Sequence, residues 1–203
     1  MTNELQNLIS RAQQDSQGTI IQTITDFLRR CKEASAVVAT DKRFKIEETK
    51  NLIGFINQKN HWITVNLDLY ISHGAEQKVF LKDDKNVLKL NDSIYYESWF
   101  DYFINLMFHN YFFPDTKYDL LGFYQDVNVL YAVIQQPFIK VDAKTDLEKV
   151  KIFMNNNGFQ NTRNNDYYNP DLGIILEDLH DENVLTQNGI LYFIDTVFYI
   201  KKL

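Results

Sequence analysis

The spacing of apolar residues divides the chain into an N-terminal helical part and a longer part rich in strands. Up to residue 57 the apolar positions recur every three or four residues, which is typical of amphipathic helices. The positions that carry this pattern are Leu5, Leu8, Ile9, Ile20, Ile21, Ile24 and Leu28. We therefore expect two or three helices. Because no Pro/Gly-rich linker follows them, residues 1–60 are predicted to be a helical extension packed on a main domain of residues 61–203.

From residue 61 the pattern changes to the alternation that is typical of β-strands. Every second residue of "ITVNLDL" is apolar, so a strand is predicted over 61–71, and "KVFLKDDKNVLKL" predicts a hairpin that turns at 83–85. The apolar run 95–113 predicts a helix that ends before Pro114, because proline cannot continue a helix. A second strand pair is predicted on either side of 126–128.

The last third of the chain contains short predicted elements. A helix is expected over 145–156, then an irregular Asn-rich segment up to Pro170, and then two apolar strands, "LGIIL" and "ILYFID", on either side of the acidic stretch "LEDLHDENVL". Strands and helices in this order predict an α+β fold, since a doubly wound parallel sheet would alternate strand and helix.

Composition and charge narrow the classes of function. The 203 residues carry a net charge of −6 and no polybasic patch, which argues against binding to nucleic acid or to an anionic membrane surface. No apolar run reaches the roughly 18 residues of a membrane span, and the N-terminus lacks the pattern of a signal peptide. We therefore expect a cytoplasmic protein, unless it is secreted without such a signal. The single cysteine, Cys31, leaves no cysteine zinc site or internal disulfide.

The acidic and amide residues in and after the acidic stretch have a spacing that a solvated turn does not require. Asn183 follows Asp178 by five positions, and Asp195 follows Asn183 by twelve, at the end of an apolar strand. This order resembles the catalytic segment of the protein-kinase-like superfamily. The resemblance implies a catalytic role for Asp178 and magnesium binding by Asn183 and Asp195. The form D-L-H-x-x-N is most similar to the loop of aminoglycoside phosphotransferases.

The chemistry of phosphoryl transfer explains why such a set is needed. A carboxylate orients or deprotonates the acceptor hydroxyl, and a pair of oxygen ligands holds Mg²⁺ against the nucleotide phosphates. A hairpin that turns at 187–189 would bring Asp195 back beside Asn183. An amide and a carboxylate are hard oxygen ligands, which suit Mg²⁺ and not zinc.

Upstream residues stand in the order that the resemblance implies. Gly74 lies in a strand-turn-strand segment where kinases place the loop that covers the phosphates, and Lys89 in "NVLKL" matches the lysine that contacts them. An acid on the next helix has to position that lysine. Glu97 is the first choice, and Asp101 is the alternative.

The strand "LYAVIQQPFI" resembles the hinge that binds adenine, and the resemblance then covers residues 71–198. Because Pro137 has no N–H, the hydrogen bonds to the base are expected from the Gln136 carbonyl and the Phe138 amide. The pattern as a whole is similar to the small kinases found in polyvalent proteins and, in its brevity, to minimal kinases of bacteria. We therefore expect a compact kinase-like fold with an antiparallel N-lobe sheet.

Three features depart from the superfamily pattern. Gly74 stands alone where kinases have three glycines, Thr196 follows Asp195 in place of phenylalanine, and eight residues follow Asp195. The last feature leads us to expect a much reduced C-lobe. The first and the last leave open a pseudokinase, a module that binds nucleotide without transferring phosphate.

Three classes of function are consistent with the sequence. The leading interpretation is a kinase that uses ATP and Mg²⁺ to phosphorylate a hydroxyl acceptor, a protein rather than a small molecule. The second is the pseudokinase. The third is a metal-dependent phosphohydrolase that would use Asp178, His180, Asp181 and Asp195, and it is disfavoured because such sites normally contain several histidines. His180 is expected to orient the loop, and His61, His73 and His109 are assigned no role.

Overall fold

A computed structural model describes residues 3–16, 18–35, 42–74 and 76–201. The helices within these ranges are α1 (Asn3–Asp15), α2 (Ile20–Ala34), α3 (Lys42–Lys59), α4 (Trp99–Phe112) and α5 (Leu147–Asn156). The strands are β1 (Tyr70–His73), β2 (Gln77–Leu81), β3 (Asn86–Asn91), β4 (Asp119–Asp126), β5 (Val129–Pro137), β6 (Gln160–Arg163), β7 (Asp166–Asn169), β8 (Ile174–Glu177), β9 (Val184–Gln187), β10 (Ile190–Phe193) and β11 (Val197–Ile200).

These strands form three sheets in which every pair of neighbours is antiparallel. The first sheet has the order β1-β2-β3-β5-β4, the second is the hairpin β9–β10, and the third has the order β11-β8-β7-β6. The predicted α+β class with an antiparallel sheet is therefore confirmed. No helix in the described ranges is both long enough and apolar enough to cross a membrane.

The chain forms two compact units. The first, here called the large-sheet unit, comprises residues 16–106 and 118–138, and the second, the small-sheet unit, comprises 1–15, 107–117 and 139–203. Helices α2 and α3 therefore share a unit with the five-stranded sheet, whereas α1 belongs to the small-sheet unit. The division at residue 60 stays a prediction.

The large-sheet unit has apolar side chains on both faces of its sheet. One face carries a cluster made of Val65, Phe80, Leu90, Tyr131 and Val133. On the other face, Phe123 of β4 lies 6.4 Å from the ring of Trp99 and 6.3 Å from the ring of Phe103 (centroid distances). The first two turns of α4 thus cover this second face.

Stacked phenylalanines fill the core of the small-sheet unit. The rings of Phe113 and Phe193 are 4.2 Å apart at an interplanar angle of 12°, and those of Phe112 and Phe198 are 5.4 Å apart at 14°. These contacts join the last residue of α4 and the residue after it to β11 and β10. Offset stacking adds about 0.5–1.5 kcal/mol per pair to the burial of the rings themselves.

The strand predicted over 61–71 is wrong for most of its length. Only the peptide groups of His61 and Ile63 pair with Phe123, at 2.9 Å each, and a 3₁₀ turn follows at Leu67–Leu69. The Asn66 side chain accepts the Asp68 N–H at 3.0 Å, and this local bond competes with a strand ladder. A side chain at Gly122 would lie 2.5 Å from the His61 carbonyl oxygen, so the pairing depends on a glycine there.

Two other expectations also differ from the structure. The Asn-rich segment predicted to be irregular contains the β6–β7 hairpin, whose first strand is fully exposed, so it lacks the apolar alternation by which strands are found. Helix α4 begins at Trp99 and not at 95, because Ser98 caps it: the Asp101 N–H donates to the Ser98 hydroxyl oxygen at 3.1 Å.

Candidate active site

A tight hairpin in the small-sheet unit brings two of the predicted site residues together. Asn188 and Gly189, at φ 52° and 75°, form the turn between β9 and β10, and positive φ at both positions is typical of a two-residue hairpin turn. At the open end of the hairpin, the Ile194 N–H donates to the Asn183 carbonyl at 2.9 Å. The predicted hairpin is confirmed, and it returns the chain to Asn183 one residue before Asp195; a shared site of the two side chains stays a prediction.

The loop before the hairpin holds Asp178 in an uncommon backbone conformation. Its φ is 72°, in the left-handed region that asparagine and aspartate tolerate better than other residues with a side chain. The Asp178 carbonyl accepts the His180 N–H and the Asn183 side-chain Nδ2–H, both at 2.9 Å, and the Asp178 N–H donates to the Asp166 carboxylate at 3.2 Å. Such strain is found most often at functional sites.

The Asn183 side chain is oriented by its bond to Asp178. Because Nδ2 donates to the Asp178 carbonyl, the amide oxygen is the atom of this side chain that can serve as a metal ligand. That oxygen and the Asp195 carboxylate are both ligands of the kind that Mg²⁺ prefers. The donor set at the open end of the hairpin therefore fits a magnesium ion.

His180 contacts Glu182 and Asp178 in the same loop. Its Nδ1 accepts the Glu182 N–H at 3.2 Å, and its Nε2 lies 3.2 Å from the Asn183 Nδ2. The His180 Nε2 also lies 3.6 Å from the Asp178 carboxylate. The arrangement agrees with the expected role of His180 in orienting the loop.

Negative charge is concentrated around Asp178. Burial raises the pKa of Glu177 above its ordinary value, and the neighbouring carboxylates of Asp166 and Asp178 raise it further. The Asp181 carboxylate instead lies 3.6 Å from the Lys144 ammonium group. Among the described residues, no group of three or more His, Cys, Asp or Glu side chains is arranged to hold a metal ion.

His109 was assigned no role from the sequence, yet it is fully buried beside this site. Its Nε2 lies 3.0 Å from the Thr116 carbonyl oxygen, which can only accept, so Nε2 carries the proton. Its Nδ1 therefore accepts the Thr196 hydroxyl at 2.8 Å. The bond fixes the residue that follows Asp195. No pattern in the sequence predicts the His109–Thr196 bond, because 87 positions separate the two residues.

Lys89 is buried in the middle of β3, in the large-sheet unit. It lies opposite Val79 and Ile134 and is 4% exposed, and its ammonium group is 5.5 Å from the centre of the Tyr118 ring. Ile134 and Ala132 share a face of β5, because side chains alternate along a strand. Ala132 pairs with Phe123, so Lys89 is on the sheet face that α4 covers.

The structure places Gly74 at the turn where it was predicted. It follows β1, it is exposed, and its N–H donates to the Gln77 carbonyl at 2.9 Å. The next residue, Ala75, lies outside the described residues. The strand-turn-strand context of Gly74 is confirmed, and its role on phosphate stays a prediction.

Glu97 is exposed and lies just before helix α4, not on it. It lines a cavity of about 720 Å³ together with residues that include Lys42, Asp92 and Asn128, and Lys89 is not part of this lining. The carboxylate of the alternative, Asp101, accepts the Ser98 hydroxyl at 2.6 Å. A pairing of Glu97 with Lys89 therefore stays a prediction.

The end of β5 differs from what the resemblance implied. The Phe138 N–H, expected to bind the base, already donates to the Lys85 carbonyl at 2.7 Å. Gln136 is paired with Val87 inside the sheet and is 1% exposed. The Phe138 amide is therefore not available to the base as expected, because it is bonded to the β2–β3 turn. The Phe138 side chain is 40% exposed and remains accessible.

Comparison with known families gives one match. Residues 45–202 match the model of a family described as serine/threonine/tyrosine kinase found in polyvalent proteins. The match includes α3 from Lys45 onwards, the five-stranded sheet, α4 and the hairpin with Asn183 and Asp195. No curated protein and no solved structure matches the chain.

Proposed function

Because the chain belongs to the family of serine/threonine/tyrosine kinases found in polyvalent proteins, we propose that it transfers the γ-phosphoryl group of ATP to a hydroxyl acceptor in a magnesium-dependent reaction. The observation that carries the proposal is the hairpin that sets Asn183 beside the segment of Asp195, with Asp178 strained in the adjoining loop. The reaction class is inferred from the family, and these residues are proposed to carry out the phosphoryl transfer.

Asp178 is the proposed catalytic residue. Its side chain is 63% exposed, so an acceptor hydroxyl can reach it, whereas its backbone is fixed by hydrogen bonds on both sides. The carboxylate accepts the hydroxyl proton, or orients the hydroxyl, as the oxygen attacks the γ-phosphorus. Fixing the backbone of a catalytic group reduces the entropy lost when the transition state forms.

Asn183 and Asp195 are the proposed magnesium ligands. Magnesium at this site would neutralise the charge that develops on the phosphate oxygens during transfer. The side-chain bond to the Asp178 carbonyl aims the Asn183 oxygen, and the His109–Thr196 bond holds the strand that follows Asp195. His109 is therefore proposed as a positioning residue.

The nucleotide is proposed to use residues of the large-sheet unit. Lys89 would bind the phosphates, Gly74 would cover them, and Glu97 would orient Lys89. At the end of β5, the base would lie near Gln136 and against the exposed ring of Phe138. Apolar contact with that ring replaces the hydrogen bond to its amide that the sequence suggested.

The acceptor is proposed to be a protein, in line with the family description. The likeness of D-L-H-x-x-N to aminoglycoside phosphotransferases keeps a small hydroxylated acceptor as the alternative. The second candidate function is the pseudokinase, and the observation that favours it is the single glycine of the β1–β2 turn.

Labelled ATP separates these possibilities. The chain is incubated with γ-labelled ATP and Mg²⁺, then with lysate proteins, with itself, and with small hydroxylated compounds. Transfer that stops when EDTA removes the magnesium supports the kinase. Magnesium-dependent binding of ATP without transfer to any acceptor supports the pseudokinase, and no binding at all refutes both.

A further inference from the structure

Helix α3 precedes the five-stranded sheet, and three of its side chains contact the segment that leads into α4. Lys45, Glu48 and Thr49 are spaced three and four positions apart, so they lie on one face of the helix. All three side chains form hydrogen bonds with residues of the segment 93–100. The family model includes these positions, and no role follows for them from the kinase motifs.

Glu48 caps helix α4 from outside. It is 2% exposed, and its carboxylate accepts the Trp99 N–H at 2.6 Å and the Phe100 N–H at 3.1 Å. The first N–H groups of a helix have no partner within it, and a negative charge there is favoured by the helix dipole. Ser98 satisfies the third N–H, that of Asp101. The start of α4 is thus held jointly by its own cap and by α3.

Lys45 and Thr49 hold the same segment on either side of Glu48. The Lys45 ammonium group donates to the carbonyls of Ser93 and Tyr96, at 2.5 and 2.7 Å. The Trp99 indole N–H donates to the Thr49 hydroxyl at 3.1 Å. These bonds anchor the residues on both sides of Glu97, which precedes the cap of α4.

This arrangement affects the proposed reaction because α4 covers the sheet face that carries Lys89. Trp99 and Phe103 pack on Phe123, on the sheet face that carries Lys89. A shift at the start of α4 would therefore displace Glu97. It would also displace the aromatic side chains that pack on the sheet face of Lys89. Reacting groups must be held within a fraction of an ångström for efficient transfer.

We infer that Glu48, together with Lys45 and Thr49, is a positioning residue for phosphoryl transfer, which fixes the start of α4 and the Glu97 segment above the Lys89 face of the sheet. The inference rests on the proposed function. It assigns to α3 a part in the reaction and not only in the stability of the fold.

The test compares Glu48→Gln with Glu47→Gln. Glu47 is exposed on the same helix, so the control makes the same charge change without touching α4. Glutamine at 48 keeps the size of the side chain but turns an amide donor toward one of the two backbone N–H groups. We expect amide exchange at Trp99 and Phe100 to become about tenfold faster in Glu48→Gln, in line with the loss of a hydrogen bond to a charged group, and to be unchanged in Glu47→Gln.

Kinetics then decide between a positioning and a merely structural role. At a temperature at which both variants are fully folded, we expect kcat/KM for ATP to fall about tenfold in Glu48→Gln and to stay unchanged in Glu47→Gln. Full activity and full ATP affinity in folded Glu48→Gln would overturn the inference and leave the kinase intact. A wild-type chain that neither binds ATP nor transfers phosphate would refute the proposed function, and the inference with it.

A second variant covers the case in which Glu48→Gln does not fold. Thr49→Val keeps the shape of the side chain and removes the hydroxyl that accepts the Trp99 indole N–H and donates to the Lys45 carbonyl within α3. We expect kcat/KM for ATP to fall by about threefold, since a neutral hydrogen bond contributes less than a charged one. Wild-type kinetics in folded Thr49→Val would then count against the inference.

Discussion

Replacing Asp178 gives the sharpest test of the catalytic assignment, because its backbone separates the effects of two substitutions. Asp178 has φ 72°, a conformation that asparagine tolerates and alanine does not. Asp178→Asn therefore removes the carboxylate and leaves the loop in place. Asp178→Ala removes it as well, and adds a backbone cost of about 1 kcal/mol.

The expected magnitudes follow from this difference. Removing a general base lowers turnover by about 10²- to 10⁴-fold, which corresponds to a barrier higher by about 3–5 kcal/mol. We expect this loss in both variants, with ATP·Mg²⁺ affinity within about threefold of wild type, because Asp178 acts in the transition state. Since the side chain is 63% exposed, little burial is lost. Only the alanine variant should unfold about 2–4 °C lower.

The assay measures transfer from labelled ATP, nucleotide binding and thermal unfolding on the same samples. Asp181→Asn is the control, because Asp181 lies in the same loop, faces Lys144 and carries the same charge. Turnover of Asp178→Asn within about threefold of wild type would refute the assignment of Asp178. Equal loss in Asp181→Asn would show that the charge of the loop matters and not the identity of one residue.

Four further expectations concern single side chains. Lys89→Met should weaken ATP binding and also lower the rate, measured by titration and by transfer, because it removes a phosphate contact used before and during the reaction. Asp195→Asn should abolish magnesium-dependent nucleotide binding, and unchanged affinity at saturating magnesium would contradict its role. Thr196→Val should lower the free energy of unfolding by about 1–3 kcal/mol in denaturant titrations, because buried His109 loses its donor. Finally, the stability of wild type relative to Glu48→Gln should fall as pH rises above about 4.5, the ordinary carboxyl pKa.

The direction in which stability changes with pH follows from the environment of Glu48. Burial raises its pKa above the value of 4.5, Asp101 raises it further, and the Trp99 and Phe100 N–H groups and Lys32 oppose the shift. Between the unfolded and the folded pKa, the folded state therefore keeps a proton that the unfolded chain has lost. That advantage is complete below the unfolded pKa and disappears as pH rises through the folded one. A difference in stability that does not change with pH would contradict the raised pKa.

Local patterns in the sequence determined the elements that are regular and amphipathic. The hairpin at 83–85, the strand pair around 126–128 and the helices of the first 60 residues follow from apolar spacing. The β9–β10 turn follows from Asn188-Gly189, because this pair adopts the positive φ values that a two-residue turn requires. With that turn, the sequence alone predicts that the chain returns to Asn183 just before Asp195, since both residues flank one short hairpin.

Tertiary structure decided the features that depend on residues far apart in the chain. The pairing of residues 61–63 with Phe123 requires Gly122 to admit the His61 carbonyl, and no alternation in 61–71 could show it. The Phe138 amide donates to the carbonyl of Lys85, which lies in the β2–β3 turn, far from Phe138 in sequence. His109 meets Thr196, and Glu48 meets Trp99, only in the folded chain. Hydrogen-bond partners of buried polar groups are set by packing and not by periodicity, so the sequence identifies the reacting residues while the fold determines what holds them.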